Sequence, residues 1–256
     1  MWNIFHNIAD FILIRRNLPM NPIIDLHTHT IASGHAYSTL KENLEEAMRQ
    51  GLKVLGTSEH APMMPGTAPL MYFMNFKVIP REISGVRLYN GIEANILDTN
   101  GTLDVNPELA SKLDYIIASM HDCCYENQGI SVNTKTLLKV MENPEVNIIG
   151  HPDDARFPID YDEIAASAAE HKKALELNDA SLNPTTARRG AHETMPVMLA
   201  CCRKYGTKIL MGTDSHICWE VGDFRRSMKL LSDMNFPEDL IINFDLNKLS
   251  YVLKKH

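Results

Sequence analysis

The sequence predicts an α/β fold, a distorted (βα)7 barrel resembling the TIM barrel with one unit fewer, and three observations carry that expectation. From residue 22 onward, seven short apolar runs alternate with helix-patterned stretches. The residues at or just past the ends of those runs are His27, His60, Glu93, His121, His151, Asn178 and Asp214, at steps of 33, 33, 28, 30, 27 and 36. A βαβ unit takes roughly thirty residues, so the chain advances about one unit per step. A length of 256 residues suits a single barrel core. An open doubly wound sheet fits the same alternation, but no GxGxxG fingerprint follows the first run.

Taken in order, residues 1–20 stand apart from the rest. Trp2, Ile4, Phe5, Ile8, Phe11, Ile12 and Leu13 could line one helical face, with Arg15 and Arg16 behind them. A signal peptide carries its basic residues ahead of the apolar stretch, so this segment reads as an N-terminal extension, helical or disordered, and residues 21–256 as one domain. The expected strands are 23–26, 53–57, 87–93, 115–120, 147–150, 174–178 and 208–212. The expected helices are 39–50, 107–112, 134–141, 160–173, 192–205 and 222–234. The first helix is the best specified: Ser38 or Thr39 can cap it, Glu42 stands where a capping box needs it, and Gly51 closes it.

Composition narrows the function. Lys and Arg number 25 against 32 Asp and Glu, a net charge of -7, which disfavours a diffuse basic surface for nucleic acid or anionic lipid. Any anion must be captured locally. The five cysteines include two adjacent pairs, Cys123 with Cys124 and Cys201 with Cys202, and show no CxxC spacing. That pattern points to a reducing, cytoplasmic setting. No run approaches the roughly 18 apolar residues that a membrane span requires.

The chemistry lies at the strand ends. Asp25-Leu26-His27-Thr28-His29 closes the first strand, with His35 beyond it. In extended chain His27 and His29 project to the same side, so two imidazoles can converge on one metal. Histidine makes up only 11 of 256 residues, yet His60, His121, His151 and His216 sit at four further strand ends. In a parallel barrel those ends share one face. The pool is His27, His29, His35, His60, Glu93, His121, His151, Asp214 and His216, too many ligands for one tetrahedral ion and suited to two or three clustered ones. The two oxygens of Glu93 make it a natural bridge. Nitrogen-rich ligation with carboxylates suits zinc, iron or manganese. Asp25 and Glu59 are candidates to orient imidazoles. His6, His171, His192 and His256 lie away from strand ends and read as non-catalytic.

The ordered set DLHTHT (25–30), ASGHAYST (32–39), SEH (58–60), GIEAN (91–95), His121, GHP (150–152), ELN (176–178) and GTDSH (212–216) resembles the PHP family, the polymerase and histidinol phosphatase superfamily, and within it the YcdX-like phosphatases. The resemblance implies a distorted (βα)7 barrel with three divalent ions, commonly zinc, in a cleft at the C-terminal strand ends. It assigns His27, His29, Glu93 and Asp214 to the first ion, Glu93, His121 and His151 to the second, and His35, His60 and His216 to the third. It also implies possible assembly into a homo-oligomer, trimers occurring among relatives.

Three ions and two carboxylates leave a formal charge of about +4 in the cleft, which attracts phosphate. The expected activity is hydrolysis of a small phosphomonoester by a metal-bridging hydroxide, with Asp214, Glu93 and His29 the expected catalytic residues. Arg188 and Arg189 are expected to grip the substrate phosphate. The Met-rich loop 61–77 is a candidate lid. Three other readings fit the same ligands: phosphodiester or 3'-5' exonuclease chemistry, an amidohydrolase-like hydrolase, and a metal-binding module without turnover. The acidic balance argues against the first of these, and the absence of a strand-end Lys against the second.

Overall fold

The computed structural model describes residues 21–254. The extension expected at residues 1–20, with His6, lies outside the described residues, as does His256. The strands are β1 (Ile24–Asp25), β2 (Val54–Thr57), β3 (Glu82–Ile83), β4 (Val86–Asn95), β5 (Tyr115–Ser119), β6 (Ile148–Ile149), β7 (Ala174–Asn178) and β8 (Ile209–Gly212). Seven of them run parallel in the order β1-β2-β4-β5-β6-β7-β8. The additional strand β3 pairs antiparallel with β4. Ser84 and Gly85 both take positive φ between them, as a two-residue primed turn requires.

The helices are α1 (Leu40–Gln50), α2 (Leu70–Met74), α3 (Pro107–Ala110), α4 (Ile130–Glu142), α5 (Tyr161–Glu170), α6 (Ala191–Tyr205) and α7 (Arg225–Asp233). Thr39 and Glu42 form the expected capping box on α1, and Gly51 ends it in the left-handed conformation. Helix α4 starts four residues before its expected first turn, with Gly129 at its N-terminus and no side-chain cap to announce it. Asn127 instead accepts the Gly129 amide at 2.9 Å. Helix α2 was not expected at all.

One apolar cluster fills the barrel interior: Ile24, Leu26, Val54, Tyr115, Ile117, Ile148 and Leu210. A larger one lies between the sheet and the helices, including Leu55, Ala118, Leu175, Met195 and Leu199. Tyr115 and Ile117 point inward while Ala118 joins the outer layer, the alternation a strand imposes. The Tyr115 hydroxyl donates to the Leu26 carbonyl at 2.6 Å. A Cβ on Gly91, its register partner, would overlap the Tyr115 ring, so only glycine fits there.

The seam between β8 and β1 closes in two ways. At the C-terminal rim Thr28 and Ser215 form a parallel bridge, with the His29 amide donating to the Ser215 carbonyl at 2.9 Å and the Asp214 amide to the His27 carbonyl at 2.7 Å. Lower down, the buried Asn243 side chain acts as a rung. It donates to the carbonyls of Ile24 and Met211, both at 2.8 Å, and accepts the Met211 amide at 2.7 Å. Asn243→Ala leaves these buried main-chain groups without partners and should cost about 3 kcal/mol. The check is a urea melt, where an unchanged midpoint would contradict the rung.

Candidate metal centre

The barrel carries every expected ligand to the same rim because parallel strands end together. His27 and His29 flank Thr28 just beyond β1, and the main chain of His60 bridges to that of Glu93 within β4. His121, His151 and Asp214 each stand two residues past β5, β6 and β8. His151 and Asp214 hold positive φ, 27° and 51°, a strained backbone for residues other than glycine that aims each side chain inward. His35 follows a 3-10 turn, Ile31–Ser33, and reaches back so that its Nε2 lies 2.9 Å from His216 Nε2.

Glu93 is the hub and is fully buried. Its Oε1 faces His151 Nε2 at 2.9 Å and His121 Nε2 at 3.2 Å. Its Oε2 faces His60 Nδ1 at 2.7 Å and the Nε2 atoms of His27 and His29, both at 3.5 Å. Asp214 Oδ1 lies 3.1 Å from His29 Nε2 and 3.5 Å from His27 Nε2.

The far side of four rings is held by acceptors, and that assigns their tautomers. His27 Nδ1 meets Glu176 Oε1 at 2.6 Å, His121 Nδ1 meets Asn95 Oδ1 at 2.7 Å, and His216 Nδ1 meets the Asp214 carbonyl at 2.9 Å. His29 Nδ1 lies 3.0 Å from Ser33 Oγ, whose own proton goes to Glu59 Oε2 at 2.6 Å, so the hydroxyl accepts from the ring. In each case Nδ1 keeps its proton and Nε2 turns toward the cup, the arrangement a ligating imidazole needs.

Burial and charge set the protonation states. Burial alone would push the carboxyl of Glu93 up, but His121, His60 and His27 outweigh it and hold the group well below its ordinary range. Burial likewise opposes ionisation of Asp214, and Arg188 and His27 overcome it. His29 is driven well below the usual imidazole value by burial and by His60 and His216. His27 loses affinity for a proton through burial yet ends well above the usual value, because Glu176, Asp214 and Glu93 surround it.

Whether these residues suit cations can be judged from polar atoms left over. Among the described residues, Glu93 Oε2, His60 Nδ1, His121 Nε2 and Asp214 Oδ1 are buried without hydrogen-bond partners. Buried polar atoms are rarely abandoned, and four in one cup, all lone-pair donors, fit a cluster of divalent ions. Three groups have ligand atoms within 4.8 Å of one another: His27, His29 and Asp214; His60, Glu93 and His121; and His29, His60 and His216. This grouping differs from the division that the resemblance implied in giving His60 and His29 to two groups each, while His151 and His35 adjoin through Glu93 and His216.

Arg188 reaches the cup. Its guanidinium, 15% exposed, donates to Asp214 Oδ2 at 2.5 Å. Arg189 is exposed, and its main chain rather than its side chain is engaged: its carbonyl accepts the Ala155 amide at 2.8 Å. Asp25 and Glu59 touch no imidazole nitrogen through their own carboxylates. Asp25 accepts from Thr213 Oγ1 at 2.6 Å, and Glu59 binds Thr30 and Ser33, acting on His29 only through Ser33. In the loop 61–77, Phe73 and Phe76 are buried in a core cluster of their own while Met63 and Met71 are exposed. His171 and His192 lie exposed away from the cup. Sequence reasoning missed Glu176, Asn95 and Ser33 as holders of rings. The signal for Glu176 was there, a lone carboxylate in an otherwise uncharged and fully buried run, Ala174–Asn178.

The model of the PHP domain family matches residues 25–187, well over half of the chain. The chain belongs to the PHP family. A protein of Clostridium acetobutylicum named a probable phosphatase is 45% identical over 235 residues, 92% of this chain and 96% of that protein. Another probable phosphatase, from Caldanaerobacter subterraneus subsp. tengcongensis, is 40% identical over 243 residues, 94% of this chain and 95% of that protein. Among solved structures, the histidinol phosphate phosphatase of Lactococcus lactis, complexed with zinc, L-histidinol and phosphate, superposes with a TM-score of 0.59 at 19% identity. The match covers 91% of this chain and 99% of that one, a likeness of fold. The distorted (βα)7 barrel and the PHP resemblance are thus both borne out. Among the described residues, no helix is long and apolar enough to cross a membrane.

Proposed function

We propose that this PHP-domain phosphatase hydrolyses small phosphomonoesters, with three divalent ions, zinc foremost, held by His27, His29, His35, His60, Glu93, His121, His151, Asp214 and His216. The observation that carries the reading is the convergence of lone pairs: both oxygens of Glu93, Oδ1 of Asp214 and the Nε2 atoms of His27, His29 and His121 aim into one cup, several without a hydrogen-bond partner. The three overlapping groups support the number, and the zinc in the Lactococcus protein supports the metal. When bound, such ions supply Lewis acidity, activate water and offset charge on phosphoryl oxygens.

The chain's own residues do the rest. Arg188 stands beside Asp214 with further N–H groups to offer a phosphate, and its planar fork suits that anion. Asp214 is kept ionised by Arg188 and His27, so it has no proton to bring to a leaving group. Glu93 and Asp214 balance the charge of the cup.

The test is elemental analysis of the purified protein with a substrate panel: aryl phosphate, histidinol phosphate, sugar phosphates, an aryl diester and an oligonucleotide. Turnover of monoesters with about three ions per chain is the expected result. Turnover restricted to the diester or oligonucleotide would overturn the substrate class, and no turnover in the loaded protein would leave a binding module in its place.

A further inference from the structure

Beside the imidazole cup lies a second cluster of donor atoms, made of sulfur. The turn after β2 carries Met63 and Met64, and the turn after β5 carries Cys123 and Cys124. The two pairs lie about sixty residues apart in sequence and meet at the rim. Cys123 Sγ lies 3.3 Å from Met64 Sδ and 3.6 Å from Cys124 Sγ, and the Cys124 thiol donates to the Met63 carbonyl at 3.5 Å. Each turn is fixed by its own backbone: Met64 N bonds to the Ala61 carbonyl at 3.0 Å, and Cys124 N to the His121 carbonyl at 2.9 Å. The Met63 amide is tied in addition to Asp104 at 2.9 Å. Cys123 is exposed and Cys124 partly so, and neither is in a disulfide.

We propose that Cys123, Cys124 and Met64 form a separate binding site for a soft monovalent cation, with Cu(I) as the natural candidate. Three sulfurs around one ion at a metal–sulfur distance of about 2.3 Å stand about 4 Å apart. The separations of Cys123 Sγ from Met64 Sδ and from Cys124 Sγ, 3.3 and 3.6 Å, reach that spacing by widening about 0.7 and about 0.4 Å. Two thiols and a thioether, with no imidazole or carboxylate among them, suit a soft ion, and the neutral thioether with only three donors fits Cu(I) better than the divalent ions suited to the cup. On binding, the two S–H protons pass to solvent, two thiolates and the thioether take the cation, and no electron is transferred. The site is open to solvent, so a small ion can reach it while the cup keeps its own metals.

The experiment is anaerobic titration of the metal-loaded protein with Cu(I) against a colorimetric Cu(I) chelator, joined to copper X-ray absorption. One equivalent bound in competition with the chelator, with only sulfur in the first shell, is the expected result. Cys123→Ser with Cys124→Ser should weaken that equivalent at least about 100-fold, and Met64→Leu about tenfold. Nitrogen in the copper shell would assign the ion to the imidazole cup and overturn the proposal. So would a double variant that binds Cu(I) as tightly as the parent, or a Met64→Leu variant of unchanged affinity. All three side chains lie on surface turns, and circular dichroism will verify that the variants keep the barrel.

Discussion

Replacing Glu93 by Ala should lower phosphomonoester turnover by at least about three orders of magnitude and strip metal from the protein. Glu93 addresses five candidate ligands: Oε1 faces His121 and His151, and Oε2 faces His60, His27 and His29. Without it, five imidazoles surround a void, and of the two cup carboxylates only Asp214 is left to balance the cations they would hold. Three orders of magnitude correspond to about 4 kcal/mol of transition-state stabilisation, within what a lost metal removes. Glu93→Gln separates charge from shape, since the amide fills the same space, and should fall nearly as far. His29→Ala should behave alike, because its Nε2 lies close to both Glu93 and Asp214. Elemental analysis and a phosphatase assay on the same sample provide the check, with a urea melt to show that the barrel persists. Full activity in a variant without metal would end the proposal.

Replacing Arg188 by Ala should reduce kcat/KM about 100-fold while leaving the metal content in place. The guanidinium is largely buried and donates to the Asp214 oxygen that faces away from His29, so its loss leaves Oδ1 and the ring nitrogens where they are. What would disappear is the proposed charge-assisted contact to the phosphate, for which about 3 kcal/mol is a reasonable measure. Inhibition by inorganic phosphate should weaken in parallel, and added guanidinium should restore part of the activity, which a purely structural defect would not permit. Arg188→Lys should recover little, because an ammonium cannot hold Asp214 and a phosphate in the planar geometry of a fork. Arg189→Ala, with an exposed side chain, should change kcat/KM much less. Equal losses in both variants, or loss of metal from Arg188→Ala, would refute this division of labour.

The two experiments probe different depths of information in the chain. Glu93 could be named beforehand, because it ends a strand at the same step as four histidines. Arg188 could be named only as one of a pair, and its contact with Asp214, 26 residues away, depended on how the loop after β7 folds over the rim. The same contrast recurs elsewhere. The Thr39 and Glu42 cap was legible three residues apart, whereas the start of α4 was hidden because Gly129 bears no capping side chain. The short β3 hairpin was not among the expected strands, because its turn, Ser84-Gly85, is a weaker signal than Asn-Gly.

What the chain determined by itself is whatever depends on neighbours in sequence: alternation that buries one face of a strand, caps that end helices, and the thirty-residue step that returns each strand end to one rim. Those regularities were enough to collect nine candidate ligands and a barrel. Tertiary structure alone decided which atom of each ligand faces inward. That choice rests on partners far along the chain: Glu176 lies 149 residues from His27 and Asn95 lies 26 from His121. It also decided that Asn243 closes the seam 219 residues from Ile24, and that Met64 meets Cys123 across 59. A hydrogen bond requires a partner at about 3 Å with the right lone pair, and no local pattern encodes a distance between segments until packing has brought them together.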